Sequence, residues 1–250
     1  VLHEIVQAAQ LDHTTGVLEI GPGIGVLTHA VAEHAKKVVA IELDAHLLPI
    51  LAQTLAHFDN VHIIQGDALK VDLGAIIQAH FAGLTVKVTA NLPYYITTPI
   101  VMALLEKKLP ISSIVIMVQK EVAQRMAASP GGKEYGALSV AVQYYTKPTI
   151  ITTVPPESFI PQPKIDSMVI RLDVLPSPAV DVDEKKFFRV VKAAFGQRRK
   201  TLLNALSNTG GFQMSKHEMK EVFRSLSFSE NIRGETLSIV QFAQLTDAIF

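Results

Sequence analysis

The chain has 250 residues, 48% of them apolar and 18% charged, an ordinary globular composition that suits one large domain and a smaller one. The formal net charge is zero, so any surface for nucleic acid must be a local patch. The absence of cysteine excludes disulfides, thiolate zinc sites and a cysteine nucleophile, and it disfavours methylation of pyrimidine carbon-5, which normally uses a thiol.

Short apolar, β-branched runs alternate with helical patterns along most of the chain. The runs predict strands at 17–20, 38–41, 61–64, 86–89 and 113–118. The helical patterns lie at 1–11, 27–34, 45–55, 99–107, 119–127 and 138–145. Such alternation is typical of a parallel, doubly wound sheet. Two later strands, 149–154 and 168–172, are separated by a proline-rich loop rather than a helix, which predicts an antiparallel hairpin at the end of the sheet.

The segment Pro-Ser-Pro at 176–178 looks like a linker. Beyond it, helices are predicted at 184–206, 215–225 and 237–249. We therefore predict an α/β catalytic domain at residues 1–176 and a small all-α domain at residues 177–250.

A glycine-rich turn follows the first predicted strand. Gly21 and Gly23 let the backbone approach a ligand between a strand and the amino end of a helix. A dinucleotide fingerprint would place its third glycine at position 26, which is Val26, whereas the third glycine here is Gly25. The pattern G-x-G-x-G is more usual for S-adenosylmethionine, so a nicotinamide dehydrogenase is a disfavoured alternative.

Two carboxylates lie at the ends of the next two strands. Glu42 can accept hydrogen bonds from both hydroxyls of a ribose, and Asp67 can accept one from an adenine amine. Each feature alone also has a structural explanation, because strand-end aspartates often cap helices. The carboxyl ends of parallel strands meet at one edge of a sheet, so their joint placement favours a cofactor site.

The stretch Asn91-Leu92-Pro93-Tyr94-Tyr95 follows the fourth predicted strand and is expected to form a loop. Asn91 offers an amide oxygen, and Pro93 stiffens the backbone so that the Leu92 carbonyl can point at a ligand. Tyr94 offers a flat π surface. Two acceptors beside an aromatic ring suit the exocyclic amine of a planar base. By binding both amine hydrogens, the acceptors would turn the lone pair of the amine nitrogen towards an electrophile. A β-turn with two core tyrosines is the alternative.

Phe159 lies in the segment 158–163, within the proline-rich loop between the two late strands. Its ring either stacks on a base, which is worth about 1–3 kcal/mol, or anchors the loop in the core. The histidines show no ligand spacing, so we predict no metal site.

The predicted helix at 184–206 carries seven basic residues against one acidic residue. This excess favours phosphate contacts over a merely solvated face. The candidate RNA-binding residues are Lys185, Arg189, Lys192, Arg198, Arg199 and Lys200.

The sequence resembles the small-subunit ribosomal RNA adenine dimethyltransferases, the kasugamycin-sensitivity enzymes, over nearly the whole chain. The segments that carry the resemblance are VLEIGPGIGVLT at 17–28, AIELD at 40–44, GDAL at 66–69, NLPYYITTPI at 91–100, FIPQPKIDS at 159–167 and FGQRRKTLLNAL at 195–206. The fourth and the last are specific to that family. Members usually begin with a basic segment that carries Gln-Asn-Phe-Leu and helps to close the cofactor pocket, and this chain starts after it.

The resemblance implies a Rossmann-like, S-adenosylmethionine-dependent methyltransferase sheet and a helical domain that docks on RNA. The predicted cofactor residues are Glu19, Gly21, Gly23, Glu42, Leu43, Asp67, Ala68 and Asn91. The predicted catalytic residues around the target adenine are Asn91, Leu92, Pro93, Tyr94 and Phe159. The implied reaction adds two methyls to N6 of each of two adjacent adenines near the 3′ end of small-subunit RNA, during ribosome biogenesis.

Two related alternatives remain open. A macrolide-resistance methyltransferase acts on large-subunit RNA, but typically has Ile after the motif Asn and lacks the FGQRRKTLLNAL helix. A mitochondrial transcription factor of this fold binds nucleic acid without needing catalysis, and the intact 91–94 segment weighs against it. The predicted partner is small-subunit ribosomal RNA or the assembling particle. No apolar run reaches membrane-spanning length and no segment resembles a signal peptide, so we expect a cytoplasmic monomer.

Overall fold

The computed structural model describes residues 1–159, 162–197, 199–209 and 211–250. The chain divides into two compact units. The first comprises Val1–Ala123 and Lys147–Val174, and the second comprises Gln124–Thr146 and Leu175–Phe250. The second unit therefore includes residues 124–146, which the sequence analysis placed in the catalytic domain.

A seven-stranded sheet forms the centre of the first unit. Its strands are β1 (Thr15–Ile20), β2 (Lys37–Glu42), β3 (Val61–Gln65), β4 (Thr85–Asn91), β5 (Ser113–Gln119), β6 (Thr146–Val154) and β7 (Ser167–Val174). They lie in the order β3-β2-β1-β4-β5-β7-β6. The first five are parallel neighbours, and β7 runs antiparallel to β5. This confirms the predicted fold class, a mostly parallel sheet closed by two late strands.

Eleven α-helices lie within the described ranges. They are α1 (Leu2–Ala9), α2 (Val26–Ala32), α3 (Leu48–Thr54), α4 (Leu73–His80), α5 (Tyr94–Glu106), α6 (Lys120–Ala127), α7 (Ala137–Tyr145), α8 (Glu184–Gly196), α9 (Leu202–Asn208), α10 (Lys216–Ser225) and α11 (Ile239–Ile249). None of the described helices has the length and apolar character needed to cross a membrane. No helix was predicted at α4, although Asp72 caps its start by accepting a hydrogen bond from the Ala75 N–H at 3.0 Å.

The sheet is buried on both faces at its centre. Every residue of β1 is buried, as expected where helices cover both sides of a parallel sheet. One core cluster joins Ile5 and Ala9 of α1 to Val31 of α2 and Val115 of β5. The second unit has its own aromatic core, in which Phe187 and Phe242 are fully buried.

The helix that was predicted to begin at Pro99 begins at Tyr94 instead. Asn91 is therefore the last residue of β4 and Tyr94 the first of α5, so the predicted loop is reduced to Leu92 and Pro93. Pro99 lies inside the helix, where it leaves the Tyr95 carbonyl without its usual i+4 donor. Burial of Ile100 and other apolar residues of α5 outweighs the local preference for a break.

The single helix predicted at 184–206 is two helices. α8 ends at Gly196, and α9 begins after Thr201, whose hydroxyl accepts a hydrogen bond from the Asn204 N–H at 3.4 Å. Arg199 and Lys200 lie exposed in the connection between them rather than on a continuous helical stripe. The sequence pattern did not indicate this break, because the apolar pattern continues across it. Leu202 and Leu206 are buried, as they would also be in a single continuous helix.

Candidate cofactor and target-base site

The carboxyl ends of four neighbouring parallel strands bring most of the predicted site residues to one edge of the sheet. In register, Ile20 of β1 pairs with Ile41 of β2 and with Ala90 of β4. The Gly21 N–H donates to the Ile41 carbonyl at 3.0 Å, and the Gly66 N–H donates to the Glu42 carbonyl at 2.8 Å. The structure thus places the glycine turn and the segments around Glu42, Asp67 and Asn91 along one sheet edge, where open α/β sheets bind ligands.

The glycine turn needs glycine for its conformation and leaves room above its backbone. Gly21 and Gly23 have positive φ values of 69° and 60°, which are strained for residues with a side chain. A Cβ on Gly21 would lie 3.0 Å from Leu92 Cδ2, whereas one on Gly23 would meet nothing within 4 Å. The space above Gly23 is therefore open to a ligand, and the turn conformation would require glycine even without one.

Glu42 holds the glycine turn in place. Its side chain is 6% exposed, and its Oε2 accepts a hydrogen bond from the Gly23 N–H at 3.2 Å. Its Oε1 accepts from the Asp44 N–H at 2.8 Å. Each carboxylate oxygen can accept more than one hydrogen bond, so Glu42 can also receive a pair of ligand hydroxyls. Leu43 next to it is 69% exposed and offers an apolar surface to a flat ring.

Asp67 is partly engaged in its own turn. Its Oδ1 accepts from the Leu69 N–H at 3.0 Å, and Lys70 Nζ lies 3.4 Å from its Oδ2. This bond closes an Asx-type turn, and no described helix begins between β3 and α4, so Asp67 is not a helix cap. Ala68 is buried at the centre of that turn, with 8% of its surface exposed.

Glu19 is buried in β1, two residues before the glycine turn. Burial raises the pKa of its carboxyl to about 8; the nearby Thr28 hydroxyl lowers this pKa and the Glu42 charge raises it. Neither Glu19 Oε2 nor Thr28 Oγ1 has a hydrogen-bond partner of good geometry among the described residues. A buried carboxyl oxygen without a hydrogen-bond partner is rare in a purely structural role. It fits a cationic ligand, and S-adenosylmethionine carries both an ammonium and a sulfonium group.

Thr28 was absent from the sequence-based site. It lies in the first turns of α2, fully buried. Its position nine residues after Glu19, within the VLEIGPGIGVLT segment, was the available signal.

The residues predicted to hold the target base lie where β4 ends and α5 begins. Asn91 is exposed and Leu92 is buried. The Pro93 carbonyl accepts from the Ile96 N–H and from Thr97 Oγ1, both at 3.2 Å, so it belongs to the helix start. Tyr94 is half-buried, and its hydroxyl lies 2.9 Å from Ser167 Oγ. Ser167, the last residue of the FIPQPKIDS segment, was likewise missing from the predicted site.

Phe159 packs against the core cluster of the first unit and is partly buried. That contact agrees with the anchoring alternative, and the stacking role stays a prediction. Within the described ranges, no three His, Asp or Glu side chains come together in a way that could hold a metal ion.

The candidate RNA-binding residues lie in the second unit. Lys185 and Lys192 are exposed on α8. Arg189 has a packing role as well, because its guanidinium carbon lies 5.3 Å from the ring centroid of Phe212 and 5.5 Å from that of Phe250. The prediction for Arg198 lies outside the described residues.

Comparison with known proteins shows similarity over the whole chain. A family model described as ribosomal RNA adenine dimethylase matches residues 1–245. The ribosomal RNA small subunit methyltransferase A of Alkaliphilus metalliredigens is 56% identical over 250 residues, which cover 100% of this chain and 87% of the relative. The protein of the same description from Bacillus cytotoxicus is 52% identical over 252 residues, which cover 100% of this chain and 86% of the relative.

Two solved structures are similar along the chain. A dimethyladenosine transferase from Plasmodium falciparum superposes with a TM-score of 0.78 and 26% identity, covering 98% of this chain and 93% of that one. The 23S rRNA methyltransferase ErmE superposes with a TM-score of 0.74 and 21% identity, covering 99% of this chain and 96% of that one. The second likeness shows the fold alone.

Proposed function

Because the chain belongs to the ribosomal RNA adenine dimethylase family, we propose that it methylates N6 of two adjacent adenines near the 3′ end of small-subunit ribosomal RNA. The observation that carries this proposal is the grouping of Glu19, Glu42 and Asn91 at neighbouring strand ends, with the Tyr94 ring at the start of α5. The relatives that are 52–56% identical are small-subunit methyltransferases, which favours this substrate over large-subunit RNA.

The proposed cofactor site lies at the carboxyl ends of β1, β2 and β3. S-adenosylmethionine supplies an electrophilic methyl on a sulfonium, which is a good leaving group. Glu42 accepts the ribose hydroxyls, and Asp67 accepts from the adenine amine of the cofactor. Glu19, which is protonated in the free protein at neutral pH, releases its proton to solvent when the cationic end of the cofactor binds beside it, and the resulting carboxylate pairs with that charge. These side chains fix the position of the methyl without supplying covalent chemistry.

The target-base site is proposed to polarise a poor nucleophile. The Asn91 side-chain oxygen and the Leu92 carbonyl accept the two hydrogens of the exocyclic amine. Those bonds strengthen as the nitrogen becomes pyramidal and partly positive, so they stabilise the transition state more than the ground state. Tyr94 stacks on the ring and holds it in line with the methyl. The monomethylated product still carries one N–H, which can bond to one of the two acceptors, so a second transfer can follow if the site has room to turn the first methyl away.

Mass analysis of small-subunit RNA incubated with the protein and S-adenosylmethionine tests the proposal. We expect two methyl groups on each of two neighbouring adenines, and none on RNA in which guanines replace those adenines. Modification of large-subunit RNA alone would indicate the macrolide-resistance type of activity. RNA binding without any methyl transfer would indicate a non-catalytic factor of the same fold.

RNA docking is proposed for the basic connection between α8 and α9. Neutralising Arg199 and Lys200 together should weaken RNA binding and flatten its salt dependence by roughly two units, about one per lost phosphate contact. Cofactor affinity should not change, because the cofactor residues all lie in the first unit. RNA affinity measured across a salt series, beside a cofactor titration, checks this.

A variant with the same charge loss at Lys36 and Lys147 is the matched control, since both residues are exposed and lie in the first unit. An unchanged salt slope in the Arg199 and Lys200 variant would contradict the docking role. Action as a monomer in the cytoplasm stays a prediction from the sequence.

A further inference from the structure

We propose that Ser167 is a positioning residue for the target base, because its buried hydroxyl fixes the orientation of the Tyr94 ring. The inference rests on the proposed function, in which Tyr94 stacks on the adenine. Ser167 is the first residue of β7, and 73 positions separate it from Tyr94 in the chain.

The hydrogen bond between Ser167 and Tyr94 joins a buried side chain to a half-buried one. Ser167 is 0% exposed, and its hydroxyl lies 2.9 Å from the Tyr94 hydroxyl, a good distance for an O–H···O bond. Tyr94 is only half-buried, and its hydroxyl is the atom that meets the buried Ser167 side chain. A tyrosine ring anchored at its far end cannot swing about its side-chain bonds as freely as an unanchored one.

The position of Ser167 is fixed by β5 and by the start of α6. Ser167 pairs with Gln119 at the end of β5, and the next residue, Lys120, donates its N–H to the Asp166 carbonyl at 3.0 Å. Lys120 Nζ also lies 2.9 Å from Asp166 Oδ2. The ion pair is partly exposed and contributes little alone, but the strand pairing and the backbone bond fix the start of β7. The Tyr94 hydroxyl therefore bonds to a rigid partner.

Rigidity of the ring matters because stacking depends on alignment. Offset stacking requires nearly parallel planes, and a small displacement of the reacting nitrogen lowers the rate of an in-line transfer strongly. Removing either hydroxyl leaves the other without its partner in a buried setting. The two hydroxyls should therefore act as one unit, so removing one of them should lower the rate of methyl transfer as much as removing both.

The test measures methyl transfer by Ser167→Ala, Tyr94→Phe and the double variant. We expect each single change to lower kcat about tenfold, the size of one net hydrogen bond, with KM for S-adenosylmethionine unchanged. The double variant should be no slower than either single one. Ser113→Ala is the matched control, because Ser113 is also buried in a strand but its hydroxyl has no hydrogen-bond partner among the described residues. It should keep normal kcat.

A second readout follows the base itself. RNA with the fluorescent base 8-vinyladenine, which keeps the 6-amino group, at the target position should be quenched on binding the unmodified enzyme, and less so on binding Ser167→Ala at equal saturation. Normal kcat and quenching in Ser167→Ala, or additive losses in the double variant, would overturn the inference. If the unmodified enzyme transfers no methyl, the proposed function fails instead. If Ser167→Ala does not fold, Tyr94→Phe alone decides, since it keeps the ring and loses only the hydroxyl.

Discussion

Replacing Asn91 by alanine is expected to lower the rate of methyl transfer at saturating cofactor and RNA by about 10²-fold or more. The reason is the loss of one acceptor that binds most strongly in the transition state, an effect of the size found when one such partner is removed elsewhere. Asn91 is the last residue of β4 and is exposed, so its removal should leave the fold intact. Single-turnover methyl transfer with labelled cofactor measures the effect.

Asn60→Ala provides a contrasting control. The Asn60 side-chain amide donates to the Ala32 carbonyl at 2.9 Å and to the Ala35 carbonyl at 3.0 Å, so its role is structural. It should reduce the free energy of unfolding by about 1 kcal/mol per bond and leave the rate of transfer by the folded enzyme unchanged. Near-normal turnover by Asn91→Ala would refute the proposed polarisation of the amine.

Replacing Glu19 by glutamine is expected to flatten the pH dependence of protein stability in the neutral range. Burial raises the pKa of Glu19 to about 8 in the folded protein, from an ordinary value of 4.5. Between these values the folded state holds a proton that the unfolded state releases, so stability falls as pH rises. The slope from this one group is about 1.4 kcal/mol per pH unit, and the loss is complete above about pH 8. Glutamine cannot ionise, so this slope should disappear.

Urea unfolding of the protein without cofactor, at a series of pH values, measures this slope. Above about pH 8 Glu19→Gln should be more stable than the unmodified protein, since it no longer has to ionise a buried group. Glu121→Gln, at an exposed position on α6, should keep the unmodified slope. If the stability of Glu19→Gln fell with pH as steeply as that of the unmodified protein, burial would not be holding Glu19 neutral.

The sequence was sufficient to predict the seven strands and the mostly parallel sheet, because short apolar, β-branched runs that alternate with helical patterns are typical of that architecture. It also located the carboxylates at strand ends, which follow directly from those runs. It failed at the start of α5, where packing of Ile100 outweighed a proline, and at the break before Thr201, where the apolar pattern continued across the gap. The partner of Tyr94 was out of reach, because no local pattern links it to Ser167 across 73 positions.

The bond between Glu42 and the Gly23 N–H has a consequence for the thermodynamics of cofactor binding. A turn with several positive φ angles has many alternative conformations when it is untied, and a ligand that orders it loses affinity through conformational entropy. The Gly23 N–H donates to Glu42 Oε2 at 3.2 Å, a bond made within the protein alone. The turn is therefore ordered before the cofactor binds in the proposed pocket. In the proposed site, Glu42 would therefore contribute to cofactor affinity in two ways: by its hydrogen bonds to the bound ribose and by limiting the disorder of the free turn. The second contribution is entropic, and a count of ligand contacts would miss it.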